Sequence, residues 1–393
     1  MRNCVITYDR PINAAYAEEI EKRLYFVSSE IEHFKLLQEN GEINGIELTA
    51  PEGTDFSTLE AKINSVISTE ITTQKIIPSR QVWCSAEPSI EHAPIFDQLL
   101  EKGLVYEMGE GQLCFAEPLI EIMDELDARI KKIVSAMGGE EYRYPTLIAT
   151  KTLEDCGYFD SFPQMLMFVT RLHNDVDTYR AFSADYEEAG KIGAYALHHC
   201  NNTDYCLPPT MCYHTYQHLK GTNLGDRGNR VITSKGKSFR YESKYCRTIE
   251  RLFDFTIREI VFMGTKQFVL DSRQQMMEAA FALVDSLGLS GHCEVANDPF
   301  FCKADTAAKI LNQRMLELKY ELRLHIEDQR TIAAASFNFH EQFFGERFLI
   351  QRDEDNWAST GCVGFGLERL LYAFLCQHGL DSDKWKEVLY PEF

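Results

Sequence analysis

Two hydrophobic periods alternate over the first 85 residues. Asn3–Tyr8 reads as a strand, and Ala14–Phe26 puts Tyr16, Ile20 and Leu24 on one face at helical spacing. Phe34–Gln38 and Ile43–Ala50 flank Asn40-Gly41, the pattern of a hairpin turn. Phe56–Ile67 reads as a second helix, and Thr72–Ile77 as a closing strand. The order β-α-β-β-α predicts a small α+β sandwich over residues 1–85.

The Pro-containing run Ala86–Pro94 reads as a linker, so residues 92–393 form a second, larger unit. Within it, Pro118–Met137 is an amphipathic helix with Ile122, Leu126, Ile130 and Ile133 on one side. Long helices are predicted at Ser272–Leu287 and Ala304–Leu318. Strand-like runs are Ser238–Glu242, Thr256–Met263, His292–Val295, Thr331–Phe339 and Arg347–Arg352. Strands that follow one another without regular helical crossovers predict an antiparallel sheet flanked by helices, not a doubly wound parallel one. The fold class expected is therefore α+β.

Composition narrows the function. With 45% hydrophobic and 12% aromatic residues in 393, a substantial core can be buried. No stretch approaches the ~20 apolar residues that span a bilayer. The N-terminus reads as a strand and not as a signal peptide, so a cytoplasmic protein without membrane contact is expected. The 12 cysteines are then reduced thiols, buried or recruited as metal ligands. A net charge of -20 argues against tRNA, because phosphate neutralisation needs a basic surface. Residues 1–85 are no basic arm: they hold eight Lys/Arg against thirteen Asp/Glu, a net of -5.

Two constellations carry chemistry. Phe239-Arg240-Tyr241-Glu242 is followed, after a loop, by Arg251-Leu252-Phe253-Asp254-Phe255. Further on stands Gly364-Phe365-Gly366-Leu367-Glu368-Arg369-Leu370-Leu371. Read singly, an Arg and a Glu two apart are an ordinary solvated strand face, and Gly-x-Gly before an apolar helix is a tight turn. Together and in this order they resemble motifs 2 and 3 of class II aminoacyl-tRNA synthetases. Upstream, Glu140–Ile148 and Gly157–Pro163 resemble the motif 1 region, which implies a homodimer built there. The resemblance covers residues 92–393 and implies the class II antiparallel sheet, with ATP as cosubstrate. It assigns Arg240, with Glu242 and Arg369, to catalysis. Arg240, Glu242, Arg251, Phe255, Glu368 and Arg369 are implied ATP contacts: Arg240 on the α-phosphate, Arg251 and Arg369 on the outer phosphates, Phe255 against the adenine.

Departures from ordinary seryl enzymes narrow the resemblance. Thr210-Met211-Cys212 carries Cys where those enzymes hold Glu, and Cys362 replaces a motif 3 glycine. With Glu259, these positions resemble the zinc ligands of an archaeal seryl-tRNA synthetase type and of the related amino acid–[carrier protein] ligases. Three protein ligands leave a fourth zinc position open, as catalytic sites require. The resemblance puts the substrate's α-amine there. Without it, each cysteine would be a small apolar filler, and Cys200 with Cys206, near His198 and His199, would be the alternative pair. Val295–Phe301 (VANDPFF) and Ser336-Phe337-Asn338-Phe339-His340 match runs of the ligase group. Read alone, the first is an Asn-Asp-Pro turn with two core phenylalanines. Thr210, Ser336 and Asn338 are the implied substrate contacts. Magnesium is expected with ATP, yet Thr331 and alanines stand where class II enzymes keep an acidic ligand.

The leading expectation is thus a ligase that activates a small amino acid with ATP and passes it to the phosphopantetheine thiol of a carrier protein. A seryl-tRNA synthetase is the alternative, though no heptad run offers the coiled-coil arm of bacterial-type seryl enzymes. A non-catalytic paralogue is the third, opposed by the retained arginines.

Overall fold

The computed structural model describes residues 1–73, 79–86, 95–225, 228–243, 248–298, 300, 306–327 and 330–390. The linker reading over residues 87–94, most of the closing strand near Thr72–Ile77, and Pro299, Phe301, Ala304 and Asp305 lie outside them. Thr72 and Thr73 themselves are in a turn.

In the N-terminal part, strands Arg2–Asn13, His33–Glu39 and Glu42–Ala50 form an antiparallel sheet with the last strand in the centre. The hairpin turns at Asn40 (φ 52°) and Gly41 (φ 79°), the two positive dihedrals a tight two-residue loop demands. Helices Ala17–Val27 and Phe56–Val66 cover one face and bury Ile20, Leu24, Leu59 and Ile63 in a core of their own.

The larger sheet has eight strands. Their spatial order is Gln81–Cys84, Gly291–Val295, Lys319–Glu327, Arg330–Phe339, Ser359–Gly366, Asp254–Gly264, Arg230–Phe239 and Glu140–Glu141. Every pairing is antiparallel except the last, which is parallel. The sheet therefore begins inside the first 85 residues, because Gln81–Cys84 pairs with Gly291–Val295 and not with the N-terminal sheet. Helices Leu119–Ala136, Lys266–Ser286 and Leu367–His378 pack on one face and bury Ile122, Leu126, Met276, Leu371 and Phe374 against Ile260, Phe262 and Phe365. Two expectations are corrected: the strand expected over Ser238–Glu242 runs from Arg230 and ends at Phe239, and the strand expected over Arg347–Arg352 does not form. In the latter, a short helix ends at Arg347, and buried Phe348 and Ile350 flank exposed Leu349 at φ 54°. Lys319–Glu327 is a further strand, absent from the expectations although Tyr320, Leu322, Leu324 and Ile326 alternate with polar residues along it.

Arg258 fastens this layer to the sheet. It is 1% exposed, donates to both oxygens of Asp127 at 2.7 and 2.8 Å, and donates to Glu141 at 2.9 Å. Burial alone would raise the Asp127 carboxyl, but Arg258 and Lys235 outweigh it and hold it below its ordinary value. Removing one member of such a network strands a buried charge, so Arg258→Met is expected to cost about 3–5 kcal/mol in urea unfolding at neutral pH. Because the folded-state value of Asp127 is depressed, its contribution is full above the ordinary carboxylate range and is lost as pH falls through the lowered value. The wild-type advantage over Arg258→Met should shrink in that acid window; an equal gap at every pH would contradict the assignment.

Candidate active site

Strand pleating decides what reaches the other face of the sheet. Along Asp254–Gly264, Arg258, Ile260 and Phe262 face the helices, while Phe255, Ile257 and Glu259 line a cavity of about 640 Å³. Register places Gly364 between Glu259 and Ser336, and Cys362 between Val261 and Asn338. Gly364 keeps the floor open: a Cβ there would stand 2.8 Å from Ile257 Cδ1 and 3.5 Å from Glu259 Oε2. Cys212 begins the short helix Cys212–His218, whose Tyr216 packs against the Phe344 ring.

These elements bring Cys212, Glu259 and Cys362 together. All three are buried, and their ligand atoms lie within 4.8 Å of one another. Thr210 Oγ1 donates to Glu259 Oε2 at 2.8 Å, and Asn338 Nδ2 lies 3.5 Å from Cys362 Sγ. His340 Nε2 is 3.7 Å from the same sulfur. Burial pushes the Glu259 carboxyl up to about 7, against hydrogen bonds from Cys362 and Thr210 and the charge of Arg240. A hydrogen bond shared with Cys212, then burial, pushes the Cys362 thiol up. Two sulfurs and one carboxylate oxygen suit a borderline-soft divalent cation. Bonds of about 2.3 Å to sulfur and about 2.0 Å to oxygen need only a modest closing of the cluster. Its charge would favour the deprotonated forms that burial opposes. The residues present therefore fit zinc.

The other end of the cavity is cationic. Arg240 lies just past its strand, where Nε donates to the Pro209 carbonyl at 3.1 Å and the guanidinium stands 5.3 Å over the Phe255 ring. Arg251 pairs with Glu242 at 3.0 Å. Arg369 donates to the carbonyls of Glu250 and Ala333 at 2.8 and 3.1 Å. Burial, with the nearby charges of Arg251 and Arg240, pulls Arg369 down to about 10. The carboxylate of Glu368 is taken by the Thr256 N–H at 2.8 Å, which ties the start of the last long helix to the Phe255 strand.

Thr210, Ser336 and Asn338 all line the cavity. Cys200 and Cys206 are not gathered: Cys200 Sγ faces the Ala196 carbonyl, Cys206 faces Thr150, and His199 is held by Asp185 at 2.6 Å. The sequence reading left out Lys319 and Glu321, and gave no separate part to Asp298. Lys319 joins Asp298 at 2.8 Å and Glu321 at 3.1 Å on the cavity wall. Their signal was two charged residues at alternate positions in a run whose Tyr320, Leu322 and Leu324 are buried. Thr331 stands at the expected acid position, and Glu250 and Glu321 are two of the several acids that line the cavity.

No protein-family profile matches the chain. It is 32% identical over 304 residues to an amino acid–[acyl-carrier-protein] ligase of Bradyrhizobium diazoefficiens, covering 77% of this chain and 90% of the relative. The chain belongs to the amino acid–[acyl-carrier-protein] ligase family. It is accordingly an enzyme, a ligase of the class II synthetase type. A second ligase of the same organism is 29% identical over 287 residues, 73% of this chain and 84% of the relative. The type-2 serine–tRNA ligase of Methanococcus aeolicus is 27% identical over 293 residues, 72% of this chain; the match spans 55% of that relative's length. In fold, the chain resembles the M. kandleri seryl-tRNA synthetase solved with A. aeolicus tRNASec. The TM-score is 0.72 at 20% identity, over 98% of this chain and 76% of that one. No helix among the described residues is long and apolar enough to cross a membrane.

The cluster makes a metal prediction. Titrated with Zn²⁺ against a chromophoric chelator, the ligase should bind about one ion tightly, in line with a three-ligand site. Cys212→Ala, Glu259→Gln and Cys362→Ala should each lose that ion, whereas Cys84→Ala, at an exposed thiol, should retain it. Equal affinity in all four variants would contradict the site.

Proposed function

We propose that this ligase activates an amino acid as its adenylate and transfers it to the thiol of a carrier protein's phosphopantetheine arm. The observation that supports this most is the shared cavity: the Cys212/Glu259/Cys362 cluster and the Arg240/Arg251/Arg369 group line or border the same space. In this reading zinc, held by Cys212, Glu259 and Cys362, supplies a Lewis-acid position for the α-amine as free base. Asn338, Ser336 and Thr210 hold the substrate beside it. Arg240 orients the carboxylate and the α-phosphate. A carboxylate oxygen forms the new bond to the α-phosphorus, and pyrophosphate leaves with its charge on Arg251 and Arg369. Phe255 offers its free ring face to adenine, and Glu242 fixes Arg251. Glu250 and Glu321 would hold magnesium bound with ATP, which would offset charge on the outer phosphates. In the second step the thiol sulfur attacks the acyl carbon, the bond to AMP breaks, and the thiol proton leaves.

The reading includes a small amino acid and a two-fold homodimer built around residues 142–163. Exposed Leu147 in that region, with Phe168 just beyond it, gives apolar surface to cover. Charging of tRNA is the second reading, carried by the serine–tRNA ligase relatives. The net charge of -20 weighs against it.

Amino-acid-dependent ATP–pyrophosphate exchange tests the first step. Arg240→Ala and Arg369→Ala should each lower exchange by about 10²-fold or more, as loss of one preorganised transition-state donor does. Exchange at wild-type rates in both variants would overturn the adenylation reading. Labelled amino acid tests the second step. The enzyme should load a phosphopantetheinylated carrier protein, leave the unmodified carrier unloaded, and load bulk tRNA far more slowly. Efficient tRNA charging without a thioester would favour the second reading.

A further inference from the structure

The helix Ala17–Val27 of the N-terminal part meets the cavity through three of its wall elements. The first is the turn after Glu242. Ser243 is 7% exposed and sits at φ 50°, a left-handed conformation that costs a non-glycine residue energy and persists only where its surroundings enforce it. Its Oγ donates to the Tyr25 carbonyl at 3.2 Å. The second is the segment at Phe300. Arg23, 4% exposed, points Nη2 at the Phe300 carbonyl, 3.5 Å away. Phe300 in turn stacks on Phe162 at 5.2 Å, and both rings line the cavity. Phe26 and Phe162 both pack against the apolar cluster that holds Tyr158 and Tyr213.

The third element is the strand Lys319–Glu327. Lys22 holds Glu18 at 2.8 Å and Glu19 at 3.4 Å, and its ammonium also acts on the Glu321 carboxylate. Glu321 reaches Lys319, which reaches Asp298, itself held by Gln313 Nε2 at 2.8 Å. Charges thus alternate from Glu18 through Lys22, Glu321 and Lys319 to Asp298 inside the cavity. Burial would neutralise Glu321 and Asp298, yet Lys319, then Arg323 at 3.4 Å, then Lys22 hold Glu321 below its ordinary value, and Lys319 with Gln313 does the same for Asp298.

We propose that the helix Ala17–Val27 is a positioning element of the reaction cavity. Arg23 holds the Phe300 carbonyl and the Tyr25 carbonyl holds the strained turn at Ser243, while the helix turns the Lys22 charge toward the Glu321 strand. The inference rests on the reading that this cavity performs adenylation. It gives the N-terminal part a role in the chemistry that does not require it to touch a carrier or an RNA.

The test is steady-state ATP–pyrophosphate exchange on the full-length chain, with zinc content and melting temperature measured on each preparation. Lys22→Met, Arg23→Met and Ser243→Ala should each lower kcat by about 10-fold or more with zinc content unchanged, while Lys22→Arg stays within about threefold of wild type, because misplacing wall groups by a fraction of an ångström slows chemistry. Lys22→Met combined with Glu321→Gln should cost less than the product of the two single losses, the mark of residues acting through one another. If the helix only anchors the fold, melting temperatures fall while kcat and KM of the folded protein stay at wild-type values in all three variants, and the inference is overturned. Should Arg23→Met fail to fold, the Lys22 and Ser243 variants decide. A wild-type chain without exchange for any amino acid overturns the adenylation reading, and this inference with it; an active wild type with unaffected variants overturns this inference alone.

Discussion

The pleat of one strand, Asp254–Gly264, is the constraint on which the molecule depends. Alternate residues of a strand must face opposite ways. Phe255, Ile257 and Glu259 therefore enter the cavity because Arg258, Ile260 and Phe262 enter the core. Arg258 bonds Asp127 of the long helix and Glu141 of the edge strand, so the register that seats Glu259 beside Cys362 is also the register that closes a buried ion network. A slip by one residue would bury the carboxylate of Glu259 among leucines and turn Arg258 into the cavity. Stability and chemistry are fixed by the same backbone.

The cavity separates two kinds of charge. At one end thiols and a carboxylate are buried together, and burial opposes their ionised forms. At the other end guanidinium groups crowd closely enough to depress Arg369. Each end is costly alone. A divalent cation would relieve the first and a polyphosphate the second. Beside the cluster, uncharged Ser336, Asn338 and Thr210 and the bare floor at Gly364 line open space, which the proposed function fills with the substrate.

How much of this was legible in the sequence follows from distance along the chain. Arg240 and Glu242 follow one strand and Arg251 and Phe255 precede and begin the strand paired with it, so short-range spacing sufficed to place them near one another. Cys212, Glu259 and Cys362 come from a helix start and two strands. No spacing rule joins such residues, and only family resemblance grouped them. The hairpin at Asn40-Gly41 was legible because its dihedrals admit few residues. Arg347–Arg352 misled because burial alternates through Phe348, Leu349 and Ile350, although the alternation arises from a left-handed turn at Leu349. Lys319–Glu327 was missed although Tyr320, Leu322, Leu324 and Ile326 alternate with polar residues, because no Gly, Pro, Asn or Asp stands between Met315 and Lys319 to separate the run from the helix before it. The contact of Ala17–Val27 with the cavity wall has no sequence signature, since Arg23 and Lys22 look like solvated helix charges until Phe300 and Glu321 are placed beside them.

The account centres on one claim: that Cys212, Glu259 and Cys362 form a zinc centre open to the substrate amine. X-ray absorption at the zinc edge of the purified ligase tests it directly. The account predicts a shell of two sulfur atoms at about 2.3 Å with lighter atoms at about 2.0–2.1 Å, the latter changing when the activated amino acid is added. A spectrum with no sulfur shell, or one indifferent to the amino acid, would contradict it.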